Sequence, residues 1–308
     1  MRHSRFICGL TALLLLVLPV LCASAEGSPL GDVFAAARTL CFDTHNAIVS
    51  GTAEFSCNGR VFKTLQLQYV QDDFRSYYEL KLFTPYAGGN VRETGWIIIA
   101  EPEDEQIYVM ETFYPGMYKT ATDDPQNTLL RRTVELDDLM DLAAGLVATI
   151  ESDLPEGAVT TAAAENGGTA TRVVLSGDGV TELINSVVNL AGHYAGQRFF
   201  NVKHDRYVEN TWIDGKNTVT RTLLNTTARY ALTGADVTFG TDAEHRLTGL
   251  NGSLSLSATD FEGATAGVSA TFSFTASYGG ACVKRFDPDA YGVVPEAVFM
   301  GLDGSLDK

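Results

Sequence analysis

Between residues 250 and 278 the chain alternates apolar and hydroxyl side chains almost without error. Leu250, Leu254, Leu256 and Ala258 share one parity, and Asn251, Ser253, Ser255, Ser257 and Thr259 share the other. After Asp260-Phe-Glu-Gly263 the pattern resumes. Val268, Ala270, Phe272, Phe274, Ala276 and Tyr278 alternate with Ser269, Thr271, Ser273, Thr275 and Ser277. A strand turns successive side chains to opposite faces, so the segment predicts a hairpin with one apolar and one wetted face. The apolar face must lie on a second layer or on a ligand.

The rest of the chain supplies more strands and a few helices. Leu30, Val33, Phe34, Ala37, Leu40 and Cys41 recur at helical spacing, predicting a helix over 29–42 with Ser28 as N-cap and Pro29 at its first position. Asn58-Gly59 is a two-residue hairpin signal joining strands at 48–57 and 61–70. Phe74, Tyr78, Leu80 and Leu82 continue the meander. Trp96-Ile-Ile-Ile-Ala100 reads as a strand buried on both faces, and another follows at 106–114. Leu136, Leu139, Met140, Ala143, Leu146, Val147 and Ile150 form the stripe of a helix over 135–152. A strand at 169–176 comes next, then a helix capped by Asp178 that runs to about 195. The segment 196–227 fits strand or helix. A closing meander occupies 228–240, 245–259 and 264–279.

Strict βαβ alternation is absent, so an antiparallel α+β fold is expected. The economical form is one strongly curved antiparallel sheet, a half-barrel, with the N-terminal helix and the central helices packed on its concave face. Two separate sheets are the alternative. Residues 26–295 are read as a single domain and 296–308 as a polar C-terminal tail.

Residues 1–25 read as a cleaved secretory signal. Arg2 and Arg5 precede an uncharged stretch, and Ala23-Ser-Ala25 offers a cleavage site. An uncleaved anchor is the alternative. The expected location is therefore extracytoplasmic: secreted, periplasmic or in a bacterial cell envelope. Removal of the signal leaves 20 basic and 38 acidic residues, a net charge of −18. Such a surface disfavours nucleic acid and anionic lipid headgroups as partners. Cys41, Cys57 and Cys282 remain. Export permits a disulfide, and Cys41 with Cys57 is the nearest pair; Cys57 with Cys282, or three free thiols, stay open.

Searches for a nucleophile elbow, a zinc-protease helix, a phosphate-binding loop and a dinucleotide fingerprint find none of these motifs. His45, His193, His204 and His245 are not paired at ligand spacing. Cys41 and His45 stand four apart, but a catalytic thiol also needs a lowered pKa and an oxyanion site. The expectation is a non-enzymatic protein with no metal and no cofactor. A carboxylate pair of a glycosidase could still converge through folding. The aromatics on expected strands give the candidate ligand-lining set: Tyr69, Tyr78, Phe83, Trp96, Phe272 and Phe274. Facing inward they fill a core. Where helices stop short of them they line a pocket.

The element order resembles a known group. A helix precedes a meander through Asn58-Gly59, central helices follow, and a last meander turns at Thr241-Asp-Ala-Glu-His-Arg246 and Asp260-Phe-Glu-Gly263 before the tail Phe286-Asp-Pro-Asp-Ala-Tyr291. This resembles the LolA/LppX-like group of bacterial lipoprotein carriers, whose half-closed antiparallel barrel carries helices as a lid over an apolar cavity. The resemblance covers most of residues 27–292 and rests on order and pattern. The chain departs from the group in its longer middle and in Leu21, which stands before Cys22 where lipidation requires a small residue. Membership would imply an apolar small molecule or lipid chain bound in a half-barrel cavity. Two other readings stand beside it: an envelope protein-interaction or sensor module with a packed core, and an envelope hydrolase.

Overall fold

The computed structural model describes residues 28–86, 90–101, 106–111, 117–121, 134–164, 167–189, 229–259, 263, 265–281 and 283–295. The expected signal peptide, the ambiguous segment 196–227 and the C-terminal tail lie outside the described residues.

Among the described residues twelve strands form one sheet in the order β12-β6-β5-β4-β3-β2-β1-β11-β10-β9-β8-β7. The two meanders are therefore one sheet. They meet where β1 (Ala47–Cys57) pairs antiparallel with β11 (Thr265–Tyr278) along its whole length. The first meander continues as β2 (Arg60–Gln71), β3 (Ser76–Tyr86), β4 (Asn90–Glu101), β5 (Gln106–Glu111) and β6 (Met117–Ala121). On the other side stand β10 (Leu247–Thr259), β9 (Arg229–Thr241), β8 (Thr169–Ser176) and β7 (Val159–Ala163). All neighbours pair antiparallel except the two-residue β12 (Val294–Pro295), which lies parallel to β6. The sheet is open, because its edge strands β12 and β7 are not neighbours. With few helices beside it, the fold is of the antiparallel α+β kind.

Local chemistry explains the turns. Asn58 and Gly59 both take positive φ, 50° and 76°, as a two-residue hairpin between right-twisted strands requires. The Asn58 side chain also accepts from the amide of Gly267, tying the turn to β11. At the β9–β10 turn the Asp242 carboxylate accepts from the amides of Glu244 and Arg246 and from the Arg246 guanidinium.

Helix α1 (Pro29–Phe42) begins as expected, with Ser28 as N-cap and its hydroxyl accepting from Gly31 N. The Ser28 hydroxyl also donates to Glu151 at 2.6 Å, and Arg38 pairs with Asp141 at 3.0 Å. Both contacts bind α1 to α2 (Val134–Asp153). The third helix corrects the sequence reading. Asp178 sits in a short 3-10 turn, and residues 182–189 form α3 with Thr181 as its cap; Thr181 Oγ1 accepts from Ile184 N. Two asparagines of α3 then serve the sheet. β8 pairs with β9 between Gly234 and Gly240, and α3 meets the start of β9. Asn189 accepts from Tyr230 N and Asn185 from Leu232 N.

The principal core lies on one face of the sheet, here called inner. It joins Leu30, Val33, Ala37 and Leu40 of α1, Met140 and Ile150 of α2, and Ile184 of α3 to inward residues of β1–β3 and β8–β11. α1 lies against β7 to β10. The hydroxyl parity faces out: Thr271, Ser273, Thr275 and Ser277 are all exposed.

The outer face has its own small core over β3–β5. Ile99 and Tyr108 are buried there with Tyr77, Ile97 and Met110, under Phe286 and Val293. This explains why Trp96–Ala100 is apolar on both parities: Trp96 and Ile98 face the main core, and Ile97 and Ile99 face this second cluster. The covering residues belong to a strap, 281–295, that leaves β11 and crosses to β6.

Candidate functional site

The registers of six strand pairs lay the inner face out in rows. One row runs Ile98, Tyr78, Tyr69, Val49, Ala276 across β4, β3, β2, β1 and β11. The next runs Trp96, Leu80, Leu67, Gly51, Phe274, Leu250. The third runs Leu82, Leu65, Ala53, Phe272, Gly252, Val237. Five of the six candidate aromatics thus share one face within three adjacent rows: Tyr69, Tyr78, Trp96, Phe272 and Phe274.

Phe83 does not join them. It pairs with Thr64 and Glu93, on the parity of Glu79 and Lys81, and so occupies the outer face. The alternation of Tyr78, Leu80 and Leu82 carried that information. A residue one step out of phase with an inward triplet faces away.

Cover over the inner face is uneven. Val237 and Phe239 of β9 are fully buried. Leu254 and Leu256 of β10, Ala270, Phe272 and Ala276 of β11, and Trp96 and Ile98 of β4 pack on the core yet are only half-buried. The geometry accounts for this. α1 lies against the four strands β7 to β10, so its shelter falls off towards β11. Tyr69, Tyr78 and Phe274 are buried within the same rows. Phe274 lies across Gly51: a Cβ built there would fall on its ring and on the Ser273 carbonyl. The bare backbone of residue 51 is the seat of that ring.

The polar atoms of this face differ. The Tyr69 hydroxyl donates to Gln71 at 2.7 Å, and Gln71 Nε2 donates to the Thr44 carbonyl at 2.9 Å. The Tyr278 hydroxyl donates to the Leu247 carbonyl at 2.6 Å. Tyr78 stands beside Tyr69, and its buried hydroxyl has no hydrogen-bond partner among the described residues. A buried, unpaired hydroxyl costs roughly 1–3 kcal/mol. Burial pushes the Tyr78 phenol above its ordinary range. Sequence reasoning found the residue but had no means of separating it from Tyr69, because the difference lies in Gln71 and Thr44.

The cysteines are separate. Cys41 and Cys57 are buried free thiols. Cys41 ends α1 near Tyr69 and Tyr278, which pair with Val49 and Ala47 at the start of β1. Cys57 closes β1, about 30 Å of strand away. A disulfide needs Cα atoms within roughly 7 Å, so the Cys41–Cys57 pairing is corrected. Cys282 lies outside the described residues. Burial pushes the Cys41 thiol up to about 12, the reverse of what a nucleophile needs, and His45 is exposed beyond the helix end. Among the described residues no group of three or more His, Cys, Asp or Glu could hold a metal ion.

A second polar cluster went unrecognised in the sequence. Glu101 is buried at 1% exposure and joins Arg75 to the strap: it accepts from Arg75 Nε at 2.6 Å and from Phe286 N at 2.8 Å. Asp72 accepts from the amides of Phe74 and Arg75 through one oxygen and from Val283 N through the other. Phe286 packs between Tyr108 and Tyr291, with ring centroids at 4.6 and 5.1 Å. The signal available was Phe286 and Tyr291, two aromatics in an otherwise polar stretch.

No family model and no curated protein matches the chain. Two solved structures from Mycobacterium tuberculosis align over most of it. One is the dehydratase domain of the polyketide PpsC, at 11% identity over 80% of this chain and 81% of that one, with a TM-score of 0.12. The other is a conserved hypothetical protein with a double hotdog fold, at 12% identity over 82% of each chain, also with a TM-score of 0.12. At that score neither carries an argument about fold or activity.

Proposed function

We propose that the protein is an exported, non-enzymatic binder of an apolar molecule or lipid chain, held against the inner face of a half-barrel beneath its helices. One observation carries the reading. The central apolar residues Leu254, Leu256, Ala270, Phe272 and Ala276 are on the core face yet half-buried, where a packed core would close over them. Trp96 and Ile98 of β4 are likewise half-buried, beyond the buried inner residues of β1 to β3. The hydroxyl-rich outer face and the leader-like N-terminus suit a protein that works outside the cytoplasm. On this reading the sheet would curve around its helices as in the LolA/LppX-like carriers that the element order resembles.

The test is native mass spectrometry of residues 26–308 purified without detergent, beside an organic extract of the same sample. A stoichiometric added mass that disappears on extraction is the expected result. A bare mass that stays bare after incubation with mixed lipids would overturn the reading.

A second reading, an envelope interaction module, is favoured by one feature. Among the described residues β7 ends the sheet with no neighbour on its outer side, and Thr160 to Ala163 are exposed. An open edge of this kind can pair with a strand from a partner.

A further inference from the structure

Two neighbouring tyrosines of the inner face differ in one respect. Tyr69 and Tyr78 stand opposite each other on β2 and β3, and both are buried. Tyr69 has Gln71 for its hydroxyl; Tyr78 has nothing. Phenylalanine would fill the Tyr78 position equally well without an unsatisfied group. The residues around Tyr78 in register are Tyr69 and Ile98, and in the next row Leu80, Leu67 and Trp96, none of them charged. Ile98 and Trp96 are only half-buried, so the hydroxyl stands beside apolar surface that the core does not fully cover.

We infer that the Tyr78 hydroxyl is the polar anchor of the bound molecule, donating a hydrogen bond to a neutral carbonyl oxygen at the head of an apolar chain. This rests on the ligand-binding reading above and names the ligand class: an acyl ester or amide, as opposed to a bare hydrocarbon or a free carboxylate. An acceptor is required because a phenol is a donor first. Neutrality is required because an anion brought among Ile98, Leu80 and Trp96 would lose its hydration with no cation to replace it. The chain would then extend over the half-buried Ile98 and Trp96.

The test compares the purified chain with Tyr78→Phe, which removes the oxygen alone. Each is loaded with the neutral fluorescent probe methyl cis-parinarate, and the probe is displaced with methyl laurate or with tridecane, which match in carbon number and differ in the ester. The wild-type chain is expected to favour methyl laurate over tridecane by about fivefold more than Tyr78→Phe does, the worth of one neutral hydrogen bond. A thermal melt of the ligand-free proteins is the control. Tyr78→Phe is expected to melt at or above the wild-type temperature, because it removes an unsatisfied group. If both proteins bind both competitors with the same preference, the anchor is wrong and the binding reading stands. If neither the probe nor either competitor binds the wild-type chain, the anchor falls together with the reading on which it rests.

Discussion

The Arg75 guanidinium donates to the Glu101 carboxylate at 2.6 Å, and that carboxylate's other oxygen holds the amide of Phe286 at 2.8 Å. One buried acid thus joins the end of β4, the start of β3 and the strap that covers the outer face. Removing it leaves Arg75 without this counter-charge and Phe286 N without its acceptor. Breaking a buried pair on one side costs about 3 kcal/mol. Glu101→Ala is expected to lose roughly that much in chemical denaturation and to open residues 283–293 to limited proteolysis. A variant of wild-type stability with an uncut strap would contradict this.

Asp72 gives the strap a pH dependence. Burial pushes its carboxyl up, but the amides of Val283, Phe74 and Arg75 and the charge of Arg75 outweigh burial and hold it below the ordinary carboxylate value. A carboxyl depressed on folding adds stability that is fully present above its unfolded value, about 3.9, and is lost as pH falls through the lower folded value. Asp72→Asn is therefore expected to be less stable than wild type at pH 7, by about 1–3 kcal/mol, since its amide presents a donor to Val283 N. The gap should narrow as both are taken below pH 4. A constant gap from pH 7 to pH 3 would assign the loss to something other than the charge.

Gly51 is predicted to be intolerant of any side chain. Its missing Cβ leaves room for the Phe274 ring. Gly51→Ala should cost about 1–3 kcal/mol through overpacking. Because the two positions touch, Gly51→Ala combined with Phe274→Leu should lose less than the sum of the single changes. Additive losses would show that the ring is not seated on residue 51.

Cys41 and Cys57 should be inert in the folded chain. Burial pushes the first thiol up to about 12 and the second to about 11, and neither has a disulfide partner in the other. A thiol reagent at pH 8 is expected to spare both until denaturant is added. A non-reducing peptide map that links residues 41 and 57 would overturn the assignment.

Trp96 offers an optical reading of the inner face. The chain has two tryptophans, so Trp212→Phe leaves Trp96 alone. Half-buried beside Leu80, it should shift its emission to the blue when an acyl ester is added, as its ring is covered. Unchanged emission on saturation with a bound ester would place the ligand elsewhere.

Much of this architecture was legible in short-range pattern. Helix α1 followed from apolar spacing and from Ser28-Pro29, and the Asn58-Gly59 hairpin from the φ values its turn requires. Strict alternation after Leu250 gave both faces of β10 and β11. β7 was missed because Val159–Ala163 is an edge strand with almost no buried parity, so it carries no periodic signal. The strap was missed because its hold on the sheet comes from Asp72 and Glu101, far away in sequence.

The sequence by itself determined which residues share a face along the strands that alternate, because side-chain direction follows from backbone geometry one residue at a time. It determined the turns for the same reason. Only the tertiary structure decided that β1 and β11 join two meanders into one sheet, since strand partners are chosen by contacts between distant segments. It also decided that Cys41 and Cys57 stand at opposite ends of a strand. And it decided that Tyr69 has a partner while Tyr78 has none: hydrogen-bond satisfaction is a property of what surrounds a side chain, and the two tyrosines are indistinguishable until Gln71 and Thr44 are brought beside one of them.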